Sequence, residues 1–193
     1  MSWSSLLAQK LRPDENGNLP RLWFLLGSEP LLAIEAQDAI RAAAFKAGYS
    51  ERKSFVFEGN ADYSPLYEAL GDQSLFGEKN LIEVVFPRAT IGKNGPAAVE
   101  AVIEHADEDK MVVVSLFDYD WTTTKKDWFN HLMKSSVCIR TDPIDRNALP
   151  RWITERAKEK NGQTLTPEAA VAGLIAYNFA SSLVLGTRSS SRR

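Results

Sequence analysis

The segment KMVVVSLF, residues 110–117, decides the fold class of this chain. Its uninterrupted apolar run, rich in β-branched residues, is typical of a strand that is covered on both faces. The segment RLWFLLG, residues 21–27, has the same character and ends at a glycine. Because such runs alternate with helical patterns along the chain, the sequence predicts α/β units around a mostly parallel sheet that is flanked by helices.

The remaining elements follow from hydrophobic periodicity and from glycine and proline stop signals. The third predicted strand is closed by Pro87. The predicted strands cover residues 21–27, 53–59, 80–86, 110–117 and 136–142, and the predicted helices cover residues 29–48, 62–72, 97–106, 125–134, 148–162 and 166–179.

The alternation of strands and helices stops after residue 142, and only helical patterns follow. We therefore predict a first domain over residues 1–142 and part of a helical second domain over residues 143–180. Residues 181–193 are rich in Ser, Gly and Arg, a composition that favours a disordered tail.

Composition and charge exclude several classes of protein. The 193-residue chain is 44% hydrophobic and 25% charged, which is ordinary for a globular protein. Its formal net charge of -2 argues against nucleic-acid binding by bulk electrostatics. A single cysteine, Cys138, fits a reducing compartment. We see no signal peptide and no apolar run of the roughly 20 residues that a spanning helix needs, so we expect a cytoplasmic protein without a membrane partner.

An α/β sheet with a glycine after its first strand raises the possibility of a nucleotide site. A phosphate-binding loop needs the pattern G-x-x-x-x-G-K-[ST], but here Gly27 is followed by SEPLLAIE. Leu31, Leu32 and Ala33 occupy the places of the second glycine, the lysine and the hydroxyl, and Glu29 would repel phosphate. The sequence thus predicts no cofactor, although a degenerate nucleotide site stays open as an alternative.

For two aspartates and two histidines that could be metal ligands, a structural role is the favoured interpretation. Asp118 and Asp120 follow a strand, where an acidic residue in a turn is the simpler interpretation than a magnesium ligand. His105 and His131 form no recognisable metal-ligand set with one cysteine.

Lys125 and Lys126 precede Trp128, which leaves a small DNA-contacting patch open, together with the arginine-rich tail. A solvated helix start with one core tryptophan is the favoured interpretation. We predict no catalytic and no metal-binding residue.

The segment GDQSLFGEKN, residues 71–80, contains an adjacent Leu75 and Phe76 between turn-forming and charged residues. The pair is either the start of the following strand or a hydrophobic plug that enters a partner. Gly77 and the three residues after it are poorly suited to a strand interior. The pattern alone nevertheless favours the core interpretation over the plug.

Three stretches resemble the delta subunit of the bacterial DNA polymerase III clamp loader. They are LWFLLGSEPLLAIEAQDAIR, SLFGEKNLIEVVFP and LPRWITERAKEKNGQTLTPEAA, and they occur in the family's order from about residue 21 to residue 179. The resemblance implies an AAA+-like (RecA-type) fold without a functional phosphate loop, whose first domain contacts the β sliding clamp. It implies that Leu75 and Phe76 are the hydrophobic plug, with Ser74 before them and Gly77 after them.

The resemblance also implies a role without intrinsic catalysis. The family member opens the sliding clamp for loading onto DNA, as part of the polymerase III holoenzyme, and it meets DNA through that complex. The family's second helical domain and its collar domain, which contacts the other loader subunits, continue beyond what this sequence contains. We expect a truncation after Phe179, and we expect a chain without the collar not to assemble into a loader. Asp72 and Gln73 depart from the family, which can carry apolar residues there.

Overall fold

The computed structural model describes residues 2–72, residues 78–161 and residue 172. Its internal contacts divide the chain into two units, one over Trp3–Pro143 and one that begins at Ile144. The two units are described separately below.

The helices and strands alternate as predicted through most of the first unit. A short 3-10 turn, Thr123–Lys125, precedes the fifth helix. The strands are β1 (Leu22–Leu26), β2 (Tyr49–Val56), β3 (Lys79–Arg88), β4 (Lys110–Asp118) and β5 (Val137–Arg140), and the helices are α1 (Trp3–Lys10), α2 (Pro30–Lys46), α3 (Ser64–Gly71), α4 (Gly95–His105), α5 (Asp127–Ser135) and α6 (Leu149–Asn161).

The described strands form one sheet in the order β2-β3-β4-β1-β5, and all neighbouring strands are parallel. Since every strand runs in the same direction, the sheet has an N-terminal edge, where the strands begin, and a C-terminal edge, where they end. The predicted fold class is confirmed as a parallel sheet flanked by helices.

The strand that led to this prediction lies at the centre of the sheet. Val112, Val114 and Leu116 of β4 pack into the core on the side of α3, α4 and α5. Met111 and Val113 alternate with them and pack on the side of α1 and α2. Because both faces of β4 are covered, the run in this strand is almost continuously apolar instead of alternating.

Strand β2 differs from the prediction. It begins at Tyr49 and ends at Val56, whereas residues 53–59 were predicted. The apolar residues Phe55, Val56 and Phe57 favour a strand, so the predicted strand lies further along the chain than the observed one. β2 is an edge strand of the sheet, and Ser50–Arg52 are exposed. Polar residues are compatible with such a strand, but their pattern does not predict one.

Pro87 does not close β3, which continues to Arg88. The last pairing between β2 and β3 joins Val56 to Val85, so Pro87 has no strand on that side. A proline is tolerated in such a position because its missing N–H leaves no ladder bond broken.

A buried ion pair joins β3 to α2. Glu83 is 3% exposed, and its carboxylate accepts hydrogen bonds from Nε of Arg41 at 2.6 Å and from Nη2 of Arg41 at 3.0 Å. Arg52 lies 4.0 Å from the same carboxylate. A carboxylate in an apolar interior requires such a partner, so Arg41 satisfies a charge that the strand could not otherwise bury.

The second unit contains α6, which agrees with the helix predicted over residues 148–162. The helix predicted over residues 166–179 lies outside the described residues apart from residue 172, and so does the predicted tail. The assignment of residues 143–180 to a partial second domain therefore stays a prediction. In the described part of the chain, no helix is both long enough and apolar enough to cross a bilayer.

Candidate functional site

The predicted plug residues Ser74, Leu75, Phe76 and Gly77 lie outside the described residues, as does Gln73. The structure does describe both flanks of this segment. Helix α3 ends at Gly71 before it, and strand β3 begins at Lys79 after it. Because α3 returns from the C-terminal end of β2 towards the start of β3, both flanks belong to the N-terminal edge of the sheet.

The upstream flank is tied to the sheet by an ion pair. Nζ of Lys53 on β2 donates to Oδ2 of Asp72 at 2.6 Å. The hydrogen bond and the positive charge of Lys53 lower the pKa of the Asp72 carboxyl below its ordinary value. The backbone N–H of Asp72 donates to the carbonyl of Glu68 at 2.9 Å and closes the last turn of α3. Asp72 is thus held from both its backbone and its side chain.

The downstream flank is tied to the turn between α4 and β4. The N–H of Asn80 donates to the carbonyl of Asp109 at 2.7 Å. Nζ of Lys79 lies 5.4 Å from the ring centroid of Tyr49, whose hydroxyl donates to the carbonyl of Glu108 at 3.0 Å. Burial of Tyr49 raises the pKa of its phenol. Strand β3 therefore leaves this edge from a fixed point.

The turn that receives these contacts is itself ordered by its own side chains. Asp107 accepts hydrogen bonds from the N–H groups of Asp109 and Lys110 at 2.9 and 2.8 Å. Nη2 of Arg21 donates to Glu108 at 2.7 Å, which links the turn to the start of β1. Lys53, Lys79, Asn80 and the turn at residues 107–110 thus form a platform at the N-terminal edge, around the two flanks of residues 73–77.

The C-terminal edge contains the connection where a phosphate loop would lie. Only residues 27–29 join β1 to α2. The N–H of Gly27 donates to the carbonyl of Leu116 at 3.2 Å, and the N–H of Glu29 donates to the carbonyl of Thr141 at 2.8 Å. Because these two amides bond to neighbouring strands, the connection does not present them to a phosphate.

The glycine in this connection has a packing role. Gly27 has a φ of +143°, a conformation that side-chain-bearing residues rarely adopt. A Cβ atom at this position would lie 2.5 Å from the carbonyl oxygen of Thr141. The glycine at position 27 is therefore explained by the close approach of the backbone that follows β5.

Asp118 and Asp120 have the structural roles that the sequence favoured. Asp118 ends β4. The carboxylate of Asp120 accepts 2.8 Å hydrogen bonds from the hydroxyl of Thr122 and from the N–H and the hydroxyl of Thr123. These donors lower the pKa of Asp120 to about 2. Its carboxylate thus caps the 3-10 turn.

The lysine pair has one feature that the sequence did not indicate. Trp128 is buried, as predicted for a core tryptophan. Trp121, however, is 70% exposed, and Nζ of Lys125 lies 3.3 Å from its ring centroid. The segment TTTKKDW does not predict this cation–π pair, because its aromatic partner Trp121 precedes the segment.

The two histidines make local contacts. Nδ1 of His105 donates to the carbonyl of Ala101 at 2.8 Å, and Nδ1 of His131 donates to Glu100 at 2.6 Å. Among the residues that the structure describes, no group of three or more His, Cys, Asp or Glu side chains could hold a metal ion.

Comparisons with known proteins agree with this architecture. The family model of the DNA polymerase III delta subunit matches residues 23–142. The DNA polymerase III subunit delta of Escherichia coli K12 is 29% identical over 163 residues, which cover 81% of this chain and 46% of that protein. The corresponding subunit of Haemophilus influenzae is 25% identical over 146 residues, which cover 72% of this chain and 41% of that protein.

The solved structure of the DNA clamp loader delta protein of Bacillus subtilis has the same fold. It superposes with a TM-score of 0.61 at 18% identity, over 97% of this chain and 58% of that one. The chain spans less than half the length of the two curated relatives. Because the family model matches more than half of the chain, from Trp23 in β1 to Asp142 after β5, the chain belongs to the family of the DNA polymerase III delta subunit.

Proposed function

We propose that this chain binds the β sliding clamp and favours its opening, so that the clamp can be loaded onto DNA. The observation that carries the proposal is the family match over residues 23–142, which includes residues 73–77 and both of their flanks. Leu75 and Phe76 would enter an apolar pocket of the clamp, with Ser74 before them and Gly77 after them. The proposed site is therefore a protein–protein contact at the N-terminal edge of the sheet.

Two apolar side chains are sufficient to anchor such a contact. A Leu or Phe side chain that is fully buried in a partner contributes about 1.5–3 kcal/mol. Binding energy in protein interfaces is commonly concentrated in a few central anchors of this kind. The contact would then depend on Leu75 and Phe76 much more than on the charged Asp72 upstream.

The proposed action on the clamp is a shift of a conformational equilibrium. A protein that binds the open ring more tightly than the closed ring increases the open population, and the size of the shift is limited by that difference in affinity. This action requires no bond-making step in the delta subunit. The engaged amides of Gly27 and Glu29 support the view that ATP chemistry belongs to other subunits.

The partners of the whole protein are also proposals, because the chain covers less than half of its curated relatives. They are the sliding clamp, the other loader subunits and, through the assembled complex, DNA. The cytoplasmic location predicted from the sequence is proposed on the same basis.

The proposal is tested by titrating the sliding clamp with the parent chain and with the Leu75→Ala/Phe76→Ala variant. Loss of two buried anchors should weaken binding by about 100-fold or more. The matched control is Ile34→Ala/Phe45→Ala, which truncates two exposed apolar side chains of α2. The proposal fails if the plug variant binds as tightly as the parent chain.

A further inference from the structure

The connection between α1 and β1 contains the exposed dipeptide Asn16–Gly17. We propose that this dipeptide is a site of spontaneous covalent modification, at which the side-chain amide of Asn16 is converted to a carboxylate by reaction with the neighbouring backbone and with water. A second dipeptide of the same sequence, Asn94–Gly95, should resist the reaction because it lies at the start of a packed helix. The proposal concerns the folded chain itself and is independent of clamp binding.

The reaction begins when the backbone nitrogen of Gly17 attacks Cγ of Asn16. A C–N bond forms, the side-chain nitrogen leaves as ammonia with the proton of the Gly17 N–H, and a succinimide ring remains. Water then breaks the bond from the ring nitrogen to either carbonyl carbon. The product is aspartate or isoaspartate, in which the backbone continues through the side chain, and nothing is oxidised or reduced.

The surroundings of Asn16 and Gly17 leave room for this attack. Glycine has no Cβ atom to hinder the approach of its nitrogen. A Cβ atom at Gly17 would meet no atom within 4 Å, and both residues are exposed. Within the described part of the chain, the side-chain amide of Asn16 forms no hydrogen bond. Neither reacting group is therefore shielded by packing.

The turn that contains the dipeptide is held only by hydrogen bonds in water. The N–H of Gly17 donates to the carbonyl of Asp14 at 3.0 Å. The N–H groups of Asn16 and Asn18 donate to Oδ1 of Asp14 at 2.9 and 2.8 Å. Because residues 14–18 are all exposed, such bonds contribute little net stability, and the turn can open locally to release the nitrogen of Gly17.

Asn94–Gly95 has the same reacting groups in a different setting. Asn94 has a φ of -90° and a ψ of -9°, and its carbonyl accepts the N–H of Ala98 at 3.1 Å in the first turn of α4. Closing the succinimide ring requires ψ of the asparagine to rotate out of the helical region. That rotation would break the first turn of α4.

Packing adds to the resistance of Asn94. Gly95 is buried, and a Cβ atom there would lie 2.5 Å from the side chain of Ile91, which is 4% exposed. The nitrogen of Gly95 therefore cannot move without separating α4 from its neighbours. Opening a packed helix costs more free energy than opening an exposed turn, so the structure ranks Asn16 well above Asn94 in reactivity.

The modification would change one wall of a groove. Asp14, Asn18 and Leu19 help to line an open groove of about 530 Å³ between the start of β1 and the ends of α4 and α5. An aspartate at position 16 adds a negative charge beside Asp14 and Glu15. An isoaspartate also adds one carbon to the backbone, so that the N–H groups on either side of it no longer match the single acceptor Oδ1 of Asp14.

The experiment incubates the full chain at mildly alkaline pH, where the glycine nitrogen loses its proton more readily, and follows each dipeptide by peptide mapping with mass spectrometry. In the folded chain, Asn16 should convert at least about tenfold faster than Asn94. In concentrated urea, which removes the structural difference, the two should convert at similar rates. Conversion of Asn94 as fast as Asn16 in the folded chain would overturn the proposal.

The products test the route. A succinimide opens to both isoaspartate and aspartate, which separate in the peptide map, so both should be found at position 16. Aspartate alone would show direct hydrolysis of the side chain and would overturn the attack by Gly17. The third dipeptide of this sequence, Asn161–Gly162, has its glycine outside the described residues and is mapped separately.

Two variants test whether the turn limits the reaction. Asp14→Ala removes the acceptor of two N–H groups, so Asn16 should convert about two- to tenfold faster. The matched control is Asp62→Ala, which removes a similar exposed acceptor that binds the N–H and the hydroxyl of Ser64. It should leave the conversion of Asn16 unchanged. Unchanged or slower conversion in Asp14→Ala would overturn the role of the turn.

Discussion

The two edges of the sheet are built from the same kinds of residues but use them differently. At the C-terminal edge, the amides of Gly27 and Glu29 and the carboxylate of Asp120 are bonded to groups of the chain itself. At the N-terminal edge, Lys53 and the turn before β4 hold the two flanks of residues 73–77. At the edge where α/β proteins commonly bind ligands, these three groups are thus occupied by internal bonds.

The difference separates the two edges of the sheet by what their polar groups contact. A short connection after β1 leaves β5 close to α2, so the C-terminal edge packs against itself. Under the proposed function, the opposite edge carries the segment that binds the clamp. If this comparison is correct, changes at the C-terminal edge should alter stability, and changes at the N-terminal edge should alter binding.

The largest loss of stability is expected for Gly27→Ala. The new Cβ would meet the backbone at Thr141, and an alanine would be strained at a φ of +143°. Strain of about 1–3 kcal/mol and overpacking of about 1–3 kcal/mol together predict a destabilisation of about 2–6 kcal/mol in urea unfolding.

Gly48→Ala is the matched control for this position. Gly48 also has a positive φ, of +93°, but its Cβ would meet no atom within 4 Å. It should lose only the strain contribution of about 1–3 kcal/mol. Equal losses in the two variants would contradict the packing role of Gly27.

Arg41→Ala should cause the next largest loss, by removing the ion pair that joins α2 to β3. It leaves the buried carboxylate of Glu83 without its bidentate partner. Removing one member of a buried pair costs about 3–5 kcal/mol, and we expect about 3 kcal/mol because Arg41 is partly exposed and Arg52 remains 4.0 Å away. The measurement is urea unfolding of Arg41→Ala beside Arg52→Ala, and equal stability of the two variants would contradict it.

The smallest effect is expected for Asp120, whose capping role can be tested by titrating its carboxyl group. Its carboxyl should titrate at a pKa of about 2 in the folded chain, below the ordinary value of 3.8. Because the folded-state pKa is lowered, the stabilisation by this cap is present above about pH 4 and is lost as the pH falls towards 2.

The check on Asp120 is a carboxyl NMR titration of the parent chain and of Thr122→Ala. The hydrogen bond from Thr122 is the largest cause of the lowered pKa, so its removal should raise the pKa of Asp120. A pKa of Asp120 that stays unchanged in Thr122→Ala would contradict the hydrogen bond from Thr122.

The sheet could be predicted from sequence because its central strands carry a strong local signal. The run of valines in β4 has no other simple explanation than a strand buried on both faces. The bounds of β2 were predicted wrongly because an exposed end strand has little hydrophobic pattern. Helix α1, Trp3–Lys10, was not predicted.

The platform at the N-terminal edge could not be predicted for a different reason. Lys53 and Asp72 are 19 residues apart, and their pairing depends on how α3 returns to the sheet. The exposure of Trp121 likewise depends on the turn after β4. The plug residues Leu75 and Phe76 were identified by resemblance to a family, and their role stays a prediction.

The most direct test compares clamp binding by one variant from each edge. The N-terminal-edge variant is Leu75→Ala/Phe76→Ala, and the C-terminal-edge variant is Trp121→Ala/Lys125→Ala, which removes the exposed cation–π pair. We predict a loss of affinity of about 100-fold or more for the first variant and parent-like affinity for the second. Parent-like binding by the plug variant, with a loss of affinity in the Trp121→Ala/Lys125→Ala variant, would place the clamp contact at the C-terminal edge and contradict the account.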